Sequence, residues 1–66
     1  MSNFKERLIQ EQKDLQEKIE KLASFLESDA FFENLKKEAQ DLLTMQLYAM
    51  LTYNTILLAR IDNLNN

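Results

Sequence analysis

Neither glycine nor proline occurs anywhere in this 66-residue chain. Tight turns, bulges and left-handed backbone positions lean on those two residues, so a chain without them is left with long helices. The heptad spacing predicts a first helix from about Asn3 to Glu27, with Leu8, Leu15, Ile19, Leu22 and Leu26 on alternating a and d positions and Gln12 in the same register. Glu17 with Lys21 and Asp14 with Lys18 stand at i,i+4 in the favourable acid-first order, which marks the solvated face.

Ser28 and Asp29 interrupt this pattern, and both residue types cap helix N-termini. A short helical turn over Ala30, Phe31 and Phe32 is expected there, with one or both rings closing the end of the core. A second long helix is expected from Asn34, as its cap, to about Asn63. The fold expected is all-α: an antiparallel two-helix hairpin, about 3–27 and 34–63, forming one domain over 1–66 and assembling into a homo-oligomeric bundle.

The expectation of self-assembly comes from the second helix. From Leu42 to Ala59 eighteen residues pass without a charge, whereas all but one of the 8 bases and all but one of the 11 acids precede that run. Its apolar positions form two seams. Leu43, Leu47, Met50, Asn54, Leu57, Ile61 and Leu64 make one, and Leu35, Ala39, Leu42, Gln46, Ala49, Tyr53 and Ile56 make the other. Two seams on one helix call for two packing partners, of which the first helix supplies one. In the hairpin register Leu26 falls near Leu43, Ile19 near Met50 and Leu8 near Ile61.

A chain this short has a marginal core, and such domains are held by disulfides, metals or oligomerisation. Without Cys or His there is no disulfide and no metal site is expected, which leaves oligomerisation. A membrane span is disfavoured, because Thr44, Gln46, Thr52, Asn54 and Thr55 are scattered through the run and no dense basic cluster flanks it. Met1 is followed by Ser2, Asn3, Phe4 and the charged Lys5, Glu6 and Arg7, not an apolar stretch, so a cytoplasmic protein is expected.

The same composition narrows function. A net charge of -3 argues against DNA or RNA as partner, since that binding needs a basic surface, but leaves room for a small anion. The absence of His and Cys removes the usual nucleophile and acid/base constellations, and the absence of Gly removes phosphate and dinucleotide loops. Carboxylate pairs such as Glu11 with Asp14 and Glu17 with Glu20 belong to a solvated helix face. No catalytic residue and no cofactor is expected.

The informative polar residues are the amides in the seams and two arginines. Gln12 and Asn54 come level in the hairpin and are expected to pair, fixing register; alternatively Gln46 and Asn54 line a pocket between subunits with Tyr53. Arg60 is the only base after Lys37, two turns from Tyr53 on the second seam, and Arg7 should lie near it. These two guanidiniums either form intersubunit salt bridges with Asp62 or Glu6, or grip phosphates beside a ring that stacks a base.

The strings LQEKIEKLASFLES, EAQDLL and QLYAM, with Tyr53, Arg60 and Ile61 beyond them, resemble a family of small helical-hairpin proteins of bacteriophages, including crAss-like phages. The likeness runs from Glu6 to Ile61, and its polar matches at Gln46, Tyr53 and Arg60 are the ones packing explains least. Lys36 departs from it, standing where relatives would carry a Ser capping the second helix. The architecture is also similar to the phage anti-CBASS and anti-Thoeris sponges that trap cyclic nucleotide signals between subunits. That resemblance implies a non-catalytic homo-oligomer binding a cyclic nucleotide through Tyr53, Arg60, Arg7, Gln46 and Asn54; the alternative is an oligomeric coiled-coil adaptor for a host or virion protein.

Overall fold

The computed structural model describes residues 3–65; Met1 and Ser2, where a leader would begin, and Asn66 lie outside them. The described chain is all-helical, with α1 (Phe4–Leu26), α2 (Asp29–Asn34) and α3 (Lys37–Asn65); α2 is the short helical turn expected over Ala30–Phe32, extended at both ends. Asn3 caps α1 through a reciprocal box, its side chain accepting from the Glu6 N–H at 2.8 Å while the Glu6 carboxylate accepts from the Asn3 N–H at 3.3 Å. The Asn-x-x-Glu spacing that announces this box is present in the sequence.

Ser28 ends one helix and begins the next. Its hydroxyl donates to the Phe25 carbonyl at 2.6 Å and accepts from the Phe31 N–H at 3.3 Å, so a single side chain satisfies groups on both sides of the break. Phe31 is buried and meets the Phe25 ring edge-on at 5.8 Å, whereas Phe32 is 63% exposed. Only one ring of the pair therefore closes the core.

The third helix starts later than expected. Asn34 closes α2 and does not cap α3, because Leu35 turns to an extended conformation (φ -115°, ψ 140°) that separates the two helices. Lys36 then occupies the position just before α3, its carbonyl accepting the first bond from the Gln40 N–H at 3.0 Å. The Gln40 side chain reaches back and donates to the Leu35 carbonyl at 2.9 Å, with the Phe31 and Phe32 carbonyls at 3.4 and 3.5 Å. One glutamine thus ties the end of α2 to the start of α3, an anchoring that heptad spacing does not announce.

α1 packs on α3 around Leu8, Leu15, Ile19 and Leu57, with Leu47, Met50 and Ile61 against that cluster. Every one of these residues belongs to a seam read from the sequence. The remaining members of that α3 seam are Asn54, buried, and Leu43, half-buried, with Leu64 exposed at the end. The other seam is bare from Leu42 onward: Leu42 is 60% exposed, Ile56 51% and Tyr53 43%, and Gln46 and Ala49 are exposed too, while Leu35 and Ala39 at its start are half-buried. The i,i+4 pairs expected on α1 are not closed. Among the described residues the one salt bridge is Lys37 with Asp41 at 2.6 Å, and Asp14 accepts from Gln10 at 2.9 Å while Gln16 donates to Glu20 at 3.3 Å. Exposed ion pairs contribute little, so neutral amides compete with them on equal terms.

α3 is long and apolar enough to cross a membrane; its most apolar 18-residue window has a mean hydropathy of 1.3 and is only 6% buried. The chain measures 46 × 20 × 14 Å, with a radius of gyration of 15.0 Å. A globular chain of this length would have a radius near 11 Å.

Candidate functional site

The depth of α1 against α3 is set by three amides. Gln12 Nε2 donates to Asn54 Oδ1 at 3.1 Å, and Asn54 Nδ2 donates to Gln16 Oε1 at 3.1 Å. Asn54 is 9% exposed, so both ends of its amide are satisfied inside an otherwise apolar seam. The Gln12 bond is the one the seams predict. Gln16, one turn further along α1, is the partner they did not reveal.

This register brings Tyr53, next to Asn54, over the flank of α1. A groove of about 410 Å³ opens there, walled on one side by Tyr53 and on the other by Arg7, Gln10, Glu11, Asp14 and Lys18, with Leu15 at its base. A smaller hollow of about 170 Å³ adjoins it, lined by Phe4, Arg7, Leu8, Glu11 and Arg60. Arg7 and Glu11 line both. Three of the five residues expected to bind a ligand are thus gathered along one flank: Tyr53 in the groove, Arg60 in the hollow and Arg7 between them.

The other two lie elsewhere. Asn54 faces the inner seam, its amide engaged by Gln12 and Gln16. Gln46 is exposed two turns towards the start of α3, its Nε2 4.0 Å from Met50 Sδ, and lines neither concavity. Both arginines are exposed, and among the described residues neither closes a salt bridge. Unpaired guanidiniums keep five N–H donors each for an anion, in a planar fork that matches phosphate oxygens.

The flank is not uniformly basic. Glu11, Asp14 and Lys18 are exposed, as a solvated face requires, and also line the groove; Arg7, Glu11, Asp14 and Lys18 recur at helical spacing beside the Leu8 and Leu15 seam. Positions flanking a heptad seam are where charged side chains meet a neighbouring helix, and that signal was present in the spacing. The arrangement offers an aromatic face, cations and carboxylate acceptors within one groove. Among the described residues no group of His, Cys, Asp or Glu is placed to hold a metal ion.

No curated protein and no solved structure matches the chain. The sequence model of one family does, over residues 2–63, and by that match the chain belongs to the Sequestin family.

Proposed function

We propose that this Sequestin-family chain is a phage-encoded counter-defence protein that sequesters a cyclic nucleotide immune signal in the host cytoplasm without cleaving it. The family name denotes sequestration. The observation that carries the reading is Arg7, which lines both the Tyr53 groove and the Arg60 hollow and so joins an aromatic wall to two guanidiniums. Tyr53 stacks a base, and Arg7 and Arg60 hold phosphates. Stacking on an aromatic side chain is worth roughly 1–3 kcal/mol per base and tolerates any base.

In this reading the α1–α3 pair is an antiparallel hairpin that completes its core by self-association. The exposed seam of Leu42, Ala49 and Ile56 is the contact surface, and Tyr53 and Arg60 lie along it, so a second copy walls the groove. Gln46, exposed on the same seam, reaches the ligand from the neighbouring subunit. Asn54 acts through register, holding Tyr53 at its level on α1. Sequestration needs affinity alone, which suits a chain without His or Cys.

Thermal shift against a panel of cyclic di- and trinucleotides tests this, together with chromatography of nucleotides released from heat-denatured protein. The expected result is a stabilised transition with at least one ring. A panel without effect and no released nucleotide would reject the proposal. The alternative, an oligomeric coiled-coil adaptor, draws on Tyr48 and Met45, which at 66% and 64% exposed are the barest large apolar side chains on α3. A protein partner recovered from infected cells, with no nucleotide bound, would favour it.

A further inference from the structure

The groove beside Tyr53 contains two carboxylates that a site for phosphate alone would not carry. Their places along α1 differ in consequence. Asp14 lies midway between Gln12 and Gln16, which both bond Asn54, so Asp14 and Tyr53 stand at one level of the paired helices. Arg7 and Arg60 lie seven residues away along their own helices, roughly 10 Å at 1.5 Å per residue. A base lying on the Tyr53 ring therefore turns an edge towards Asp14, while its phosphates extend towards the arginines.

An ionised carboxylate only accepts hydrogen bonds. Asp14 Oδ1 accepts from Gln10 Nε2 at 2.9 Å, which orients the group and leaves each oxygen with a lone pair for a ligand. The base edge that suits two acceptors is one with two adjacent N–H donors, which guanine provides at N1 and N2. Adenine sets its N6 amino group beside an acceptor nitrogen, and uracil sets one N–H between two carbonyls. Lys18, one turn beyond Asp14 in the same groove, supplies a donor for guanine O6.

Resting on the sequestration reading above, we infer that the Tyr53 groove selects guanine, with Asp14 accepting from N1–H and N2–H and Lys18 donating to O6. Glu11 has the opposite effect. It lines both concavities beside the arginines, where its charge opposes phosphate and reads no base.

Calorimetric titration of the full chain with two size-matched pairs tests this: cyclic di-GMP against cyclic di-AMP, and cyclic AMP-AMP-GMP against cyclic tri-AMP. Wild type should favour the guanine member of the pair it binds by about tenfold or more, the discrimination typical of a bidentate edge contact. D14N, whose amide offers one acceptor and one donor, should erase or reverse that preference, because it matches the adenine edge instead. E11Q should keep the preference and tighten every ring that binds. Asp14 is exposed, so helicity by circular dichroism should match wild type. Equal affinities within a pair, an adenine preference, or an unchanged preference in D14N overturns the assignment of guanine while leaving sequestration standing. Failure of all four rings, with no shift from the wider panel, removes both.

Discussion

Asn54 shows how a single polar side chain can organise this chain. A polar residue in an apolar seam costs stability and gives register when its hydrogen bonds are satisfied, and here both ends of the amide are taken. Asn54→Ala should therefore lower stability by roughly 1–2 kcal/mol, read from the urea midpoint at fixed protein concentration. Tyr53 behaves differently, because at 43% exposed it contributes little to the core. Tyr53→Ala should leave the urea midpoint within about 0.5 kcal/mol of wild type. Its ligand affinity should fall by roughly 1–3 kcal/mol, measured by calorimetry on the ring that the panel identifies. The Gln12 bond to Asn54 was legible because both amides break an apolar heptad. Asp14 was legible only as one of the charged positions flanking the α1 seam; which of those positions line the groove depends on the side of α1 that the neighbouring helix covers, and spacing alone does not give that.

At the scale of the helices, periodicity located the long elements and capping chemistry decided their ends. α1 was legible to within a residue at each end, and the seam of α3 that packs on it was legible almost throughout. The start of α3 was not, because Asn34 and Lys36 compete as boundaries and the extended Leu35 between them carries no composition signal. Lys36 lacks the side-chain oxygen that accepts from the first free N–H groups of a helix. Lys36→Ser should raise stability by roughly 1 kcal/mol in thermal or urea unfolding. No change, or a loss, would place the start of α3 elsewhere. Phe31 closes the other side of the same turn, and Phe31→Ala should cost about 3–5 kcal/mol, whereas Phe32→Ala, at an exposed ring, should cost far less.

For the molecule as a whole, the chain is longer and exposes more surface than a compact fold of its mass would. The accessible surface is 5205 Å². A folded monomer of this mass would expose about 4,400 Å². The excess and the long radius follow from two long helices lying side by side, and the longer of them, α3, leaves much of its second seam bare. A second copy laid on the bare seam would bury Leu42, Ala49 and Ile56 and wall the groove where Tyr53 and Arg7 meet. The length of the uncharged run made this surface legible from the sequence, but the partner that covers it lies outside a single chain. Burying an unpaired carboxylate in that contact is costly, so Ile56→Glu should dissociate the assembly and abolish ligand binding together. With the bare seam covered by a second copy as proposed, membrane fractionation should leave wild type in the supernatant, because that contact would cover the same face that a bilayer would.

The most direct test is the absolute mass of the purified protein by light scattering across a range of micromolar concentrations. The account predicts a mass at a whole-number multiple of 7.8 kDa that falls towards 7.8 kDa in Ile56→Glu. A wild-type mass of 7.8 kDa at every concentration would contradict it.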